Sequence, residues 1–171
     1  MKNAVIVCGL QRAYFHSKGV QYLGERAEIL KVRLLAYFKN LNTKDHVVFC
    51  LREVHQSNDA FFQGTKSYAL VGTEDIELME MFKPFIKFTV NTCRYSGFHK
   101  TALESELQKV RPQKVFVVGV QTHTNILFTC EELRNRDYDV TVYEPLTTAE
   151  DDFLHATGVN MLSNALAVHV E

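Results

Sequence analysis

The sequence predicts an α/β fold: a three-layer α/β/α sandwich around a six-stranded, mostly parallel sheet. Three observations carry that expectation. Six short apolar runs recur along the chain, as expected of strands buried on both faces. Segments with helical spacing of apolar residues separate them, which is the pattern of parallel strands joined by right-handed crossovers. No linker, repeat or low-complexity break interrupts the alternation, so residues 1–171 read as one domain.

The elements follow in order. Residues 3–8 (NAVIVC) form the first strand. A helix is expected over 19–39, where Leu23, Ala27, Leu30, Leu34 and Phe38 recur every three or four residues, and Asn40 and Asn42 end it. Residues 45–51 (DHVVFCL) form the second strand. The stretch from Arg52 to Thr73 reads as a polar loop, and EDIELMEMF as a short helix from Glu74 that stops before Pro84. A third strand is expected over 86–90. The helix over 101–110 carries Thr101 as its cap with Glu104 three residues on, a capping-box spacing. Strand 114–118, helix 123–135, strand 139–143, helix 148–163 and strand 166–170 complete the order.

Composition narrows the classes of function. The 171 residues are 46% hydrophobic and 23% charged, with a formal net charge of −1. Such a balance argues against disorder and against a nucleic-acid-coating surface. No apolar run approaches the roughly 20 residues that cross a bilayer, and the N-terminus enters a strand without a cleavage-site pattern, so no membrane partner and a cytoplasmic location are expected. Cys8, Cys50, Cys93 and Cys130 show no CxxC spacing, and neither disulfides nor a structural zinc is expected.

Ligands of such sheets sit at the carboxyl ends of the strands. The loops there are GLQRAYF, REVHQSND, NTCRYSGF and GVQTHTN, and all four should converge on one crevice.

The set AVIVCGLQ, RYSGFHKTAL and VFVVGVQTHTNILFTCEELRNRDYDVTV, in that order, resembles the isochorismatase-like cysteine hydrolase superfamily, whose members include nicotinamidases, isochorismatases and N-carbamoylsarcosine amidohydrolases. The resemblance covers nearly the whole chain and implies a Rossmann-like sheet. It also implies an Asp, Lys and Cys triad on three of the loops. Here Gly9 stands at the Asp place, two before Gln11; Thr92 stands at the Lys place, two before Arg94; and Asn125 stands at the Cys place. In the implied mechanism a thiolate attacks a carbonyl carbon, the Asp takes the thiol proton and the Lys assists electrostatically. Glycine, threonine and an asparagine amide supply none of these functions. The cysteine-free isochorismatase route also leans on the Asp, which Gly9 removes.

The binding half of such a site survives on the same comparison. In the family the turn at Val120-Gln121 often carries a non-proline cis peptide, and its amides, with those opening the next helix, form an oxyanion pocket. Gln11, Tyr14, Phe15, Arg94, Tyr95, Phe98, Val120, Gln121 and His123 are the expected crevice residues, with Arg94 as partner for an anion. Each aromatic has a packing alternative, and Arg94 an ion-pair alternative. Glu53-x-His55 invites comparison with the Asp-x-His of the nicotinamidase metal site, but Asp59 is the only further ligand nearby. A solvated loop is the expectation there, and neither metal nor cofactor is assigned. His123 reads as a capping or surface residue; His155 resembles a family position in a helix and can as easily support packing, and neither is assigned to chemistry.

Two readings follow. The first is a non-hydrolytic member of the fold that binds a small carboxylate or amide as a regulatory or structural subunit, with the family's tendency to form homo-oligomers. The second is a hydrolase of a small amide or isochorismate-like compound with relocated groups, drawn from Cys93, His123, His55 and Asp59. Cys8 is excluded from that role, since neighbours on a strand point to opposite faces.

Overall fold

The parallel sheet that the alternation predicts is present in the computed structural model, which describes residues 2–171. Six strands, β1 (Asn3–Cys8), β2 (His46–Glu53), β3 (Phe88–Thr92), β4 (Val115–Val120), β5 (Val140–Thr148) and β6 (His169–Val170), lie in the order β3-β2-β1-β4-β5-β6. Every pairing is parallel. The helices are α1 (Arg12–Phe15), α2 (Glu25–Asn40), α3 (Leu103–Val110), α4 (Leu127–Arg134) and α5 (Asp152–Asn160).

The period-two geometry of the strands divides the core into two layers. Val5 and Val7 of β1 join Val48, Cys50, Val118 and the α2 residues Ala27, Leu30, Leu34 and Phe38 on one face. Ala4, Ile6 and Cys8 join Leu103 and Leu107 of α3 and Cys130 and Leu133 of α4 on the other. Cys8 thus faces α3 and α4. Gly119 holds β4 against β1: its φ is +108°, and a Cβ there would lie 2.2 Å from the Cys8 carbonyl oxygen, a contact only glycine permits.

Several boundaries differ from the sequence expectation, each for a local reason. The long helix begins at Glu25, after Gly24 at φ +61°, and the single turn α1 precedes it. The expected helix from Glu74 is two 3-10 turns, Glu74–Ile76 and Glu80–Phe85. Between them the backbone is extended, because Glu77 O accepts from Arg12 N at 2.8 Å and Met79 N donates to Leu10 O at 2.9 Å. That bridge to the end of β1 cannot coexist with a continuous helix. Thr101 forms no capping box: α3 starts at Leu103 with Ala102 as its cap residue, and Glu104 pairs with Arg136. β5 runs on to Thr148 because Thr147 and Thr148 pair with Gly119 and Val120, so α5 starts only at Asp152, capped by Asp151 accepting from Leu154 N at 2.8 Å.

The largest departure is the polar loop. Its first residues extend β2 through Glu53, and His55 bridges to the far end of the loop, with its N–H on Ala69 O and its C=O accepting from Val71 N, both at 2.9 Å. Glu53 and His55 are buried, at 1% and 0% exposure. Among the described residues no helix is long and apolar enough to cross a membrane.

Candidate functional site

The carboxyl ends of β1, β2, β3 and β4 frame a buried polar cluster and, above it, a cavity. Gln11 ties the cluster to the sheet: its Nε2 donates to the carbonyls of Glu53 and Asp75 at 3.1 and 3.2 Å, and its Oε1 accepts from Glu53 N at 2.8 Å. The Glu53 carboxylate accepts from the hydroxyls of Tyr14 and Tyr68, the latter at 2.8 Å. Burial, and then the charge of Glu53, push the pKa of both phenols upward, so both keep their protons.

His55 lies between two carboxylates. Its Nδ1 is 3.3 Å from Asp59 Oδ2, and its Nε2 is 3.8 Å from Glu53 Oε1 without a hydrogen-bond partner. Phe61, Phe62 and Tyr68 pack around its ring, with centroids 4.6 to 5.5 Å away. Asp59 also accepts from Phe61 N at 2.9 Å and from Arg94 Nη1 at 3.0 Å. The backbone N–H of Phe61, then the Arg94 guanidinium, hold the Asp59 carboxyl down at about 2. Asp59, Arg94 and His55 Nδ1 are engaged with one another, and rings wall in the His55 side chain. Among the described residues no group of three or more His, Cys, Asp or Glu is disposed as a metal site. The expected solvated loop is nevertheless wrong for Glu53 and His55, which are interior because the loop folds back as a bridge beside β2.

Above the cluster lies a cavity of about 280 Å³. Tyr14, Phe61, Tyr68, Tyr95, Gln121, His123 and Asn125 line it, with Gln21, Thr65, Lys66, Thr124 and Glu150. Larger grooves, of about 580, 610 and 320 Å³, lie elsewhere: one beside α2 and the end of β5, one at the amino ends of β1 and β2, and one between Tyr37 and the Tyr143–Leu146 stretch. None of these includes the loops that carry the chemistry of such sheets.

Of the nine residues expected in the crevice, Tyr14, Tyr95, Gln121 and His123 line the cavity. Gln11 lies beneath it, and Phe15 and Val120 belong to the core. Phe98 packs toward α3 and α4 under the Arg136 guanidinium, 4.4 Å from its ring centre. Arg94 turns away to Asp59 and the Phe61 ring. Tyr68, Phe61, Lys66 and Glu150 line the cavity without having been singled out. Phe61 and Tyr68 sit in the stretch read as a polar loop, where the Phe61-Phe62 pair and the run Tyr68-Ala69-Leu70-Val71 were the available signals of burial.

Of the three positions assigned to the triad, Gly9 directly follows β1, Thr92 ends β3 and Asn125 lies in the turn after β4. Gly9 has φ +71°. Thr92, 4% exposed, is consumed by its own loop: its hydroxyl lies 2.9 and 3.0 Å from the carbonyl oxygens of Arg94 and Ser96 and accepts from Arg94 N at 3.2 Å. Asn125 accepts from the Thr124 hydroxyl at 3.0 Å. The Val120-Gln121 peptide is cis. The turn after it is a π-helical turn, Thr122–Ile126, in which Thr124 N and Ile126 N both donate to Gln121 O at 3.3 and 3.1 Å. Those two amides are therefore spent inside the turn. His155 supports the turn through Thr122, whose hydroxyl lies 2.9 Å from its Nδ1. Half-buried His123 has a buried Nδ1 without a partner. Burial lowers its pKa, against the opposing pull of Glu150 and Asp151. Cys93 is half-buried and does not line the cavity, and the other three cysteines are buried.

A doubly wound parallel sheet with its polar crevice at the strand ends defines a Rossmann-like α/β protein. The Isochorismatase domain model matches residues 3–171, and the chain belongs to that family. Among curated proteins it is similar to the uncharacterized isochorismatase family protein PncA of Bacillus subtilis (strain 168), at 21% identity, covering 99% of each chain. Among solved structures it is similar to the pyrazinamidase/nicotinamidase of Streptococcus mutans UA159, at 19% identity over 99% of this chain and 100% of that one, with a TM-score of 0.88. The N-carbamoylsarcosine amidase of Thermoplasma acidophilum is similar at 16% identity, 100% and 96% coverage and a TM-score of 0.86. At such identities the structural matches speak to the fold.

Proposed function

We propose that this member of the isochorismatase family binds a small amide or carboxylate at the strand ends and does not hydrolyse it by the family route. It acts as a cytoplasmic regulatory or structural subunit, in a homo-oligomer. The observation that carries this reading is the state of the three loop ends: no side chain at Gly9, a Thr92 hydroxyl bonded to its own loop, and an amide at Asn125. A thiolate, its proton acceptor and an ammonium are all wanting there. The cavity itself argues for continued binding, since four rings and several amide and hydroxyl groups converge on it. Of the two ligand types the amide suits it better, because Arg94, the partner expected for an anion, is committed to Asp59.

A second reading, hydrolysis by relocated groups, has one observation in its favour: His123 lines the cavity, and its buried Nδ1 has no partner. Cys93, the other candidate, does not line the cavity. The two readings separate in an assay with nicotinamide, isochorismate and N-carbamoyl amides. The expectation is no turnover above that of the Cys93→Ser and His123→Ala variants; turnover abolished by either substitution would establish the second reading instead.

A further inference from the structure

We propose that the crevice prefers a planar organic cation of the amidinium or guanidinium type over the neutral amide of the same shape, and the amide over the carboxylate. This rests on the reading of the crevice as a binding site and specifies its ligand.

The hydrogen-bonding polarity of the walls comes first. Tyr14 and Tyr68 both line the cavity, and the hydrogen of each hydroxyl is spent on Glu53. What each phenol has left to offer a ligand is a lone pair. The amides of Thr124 and Ile126 are spent on Gln121 O. The two phenol oxygens thus face a ligand as acceptors, and their complement is a group rich in N–H. A planar amidinium has that inventory.

Charge points the same way. Glu53 is fully buried behind the two phenols, and among the described residues no lysine or arginine nitrogen lies within 4.0 Å of it; its one basic neighbour is His55, at 3.8 Å without a hydrogen bond. Glu150 adds a second carboxylate at the rim. Against these, Arg94 is neutralised by Asp59, burial keeps His123 toward its neutral form, and position 92 is a threonine. Lys66, exposed at the rim, is the one lysine or arginine among the lining residues. Tyr95 adds a ring to the wall, the kind of surface on which a flat cation rests favourably. A cavity of about 280 Å³ lies at the small end of ligand pockets, which run from about 300 Å³ upward, and suits one such molecule.

Titration calorimetry of the full chain with benzamidine, benzamide and benzoate near neutral pH tests this, because the three differ in charge and donor count at nearly constant shape. The expected order is benzamidine about tenfold tighter than benzamide, with benzoate weakest. Glu150→Gln should cut the advantage of benzamidine over benzamide about threefold. Glu53→Gln should do likewise, and the rim variant keeps the test open if the buried one does not fold. Equal affinity for benzamidine and benzamide, or tightest binding of benzoate, would overturn the charge preference while leaving a binding crevice in place. No heat with any of the three would overturn both, and benzoate formed from benzamide in the cell would overturn only the non-hydrolytic reading.

Discussion

Tyr14 fills the space in front of Gly9: a Cβ built on Gly9 would lie 3.2 Å from two carbons of the Tyr14 ring and 2.8 Å from Cγ2 of Val120. The place that the family resemblance gives to a catalytic Asp is therefore occupied by a ring whose hydroxyl is fixed on Glu53. Position 9 has also taken a left-handed backbone, φ +71°, which L side chains adopt only with strain. Returning an Asp would require both the ring and the backbone to move. We expect Gly9→Asp to lower stability by about 1–3 kcal/mol, measured by urea unfolding. A variant as stable as the parent would show that the site tolerates its missing group without rearrangement.

Glu53 anchors the floor of the cavity through two buried phenols. Glu53→Ala leaves both hydroxyls without an acceptor, at about 1–3 kcal/mol for each unsatisfied group, whereas Glu53→Gln retains an acceptor and costs less. Chemical denaturation of the two variants should rank them in that order. Equal stabilities would show that the phenols find other partners.

Asp59 gives a pH dependence of known sign. Its carboxyl is lowered from 3.8 to about 2, first by the Phe61 N–H and then by Arg94. A depressed acid stabilises the fold above its unfolded pKa and loses that contribution as pH falls through its folded one. The stability gap between the parent and Asp59→Asn should therefore be constant above about pH 4 and close between about pH 4 and 2. A gap unchanged across that interval would show that the carboxylate is not held by these partners.

Thiol reactivity separates the four cysteines. Burial raises Cys8 and Cys130, and lifts Cys50 to about 12, while Cys93 is only half-buried. Native protein treated with a disulfide reagent should show one reactive thiol, lost in Cys93→Ser. Reaction at two or more sites without unfolding would show that the core opens around the others.

Much of the fold was legible from the chain. β1 matches its apolar run residue for residue, and the alternation of strands and helices identified the parallel sheet, because burial on both faces leaves an unmistakable run of β-branched residues. Less legible were features set by contacts distant in sequence. The bridge from Leu10 and Arg12 to residues 77–79 broke a segment whose local pattern favours a helix. The fold-back of residues 55–71 buried Glu53 and His55 in a stretch whose composition reads as solvent-facing. The site followed the same division: Tyr14, Gln121 and His123 lie next to recognisable motifs, whereas Tyr68 and Glu150 reach the cavity only through tertiary packing. The direction of Arg94, toward Asp59 and not the cavity, depends on a partner 35 residues away and has no local signature.

The central claim, binding without turnover, is tested most directly by proton NMR of the native protein with excess nicotinamide, which reads binding and conversion in one tube. Saturation transfer from protein to ligand, weakened by Tyr95→Ala, with no nicotinate resonance after prolonged incubation, is the predicted result. Growth of nicotinate in proportion to protein concentration, abolished by Cys93→Ser or His123→Ala, would contradict it.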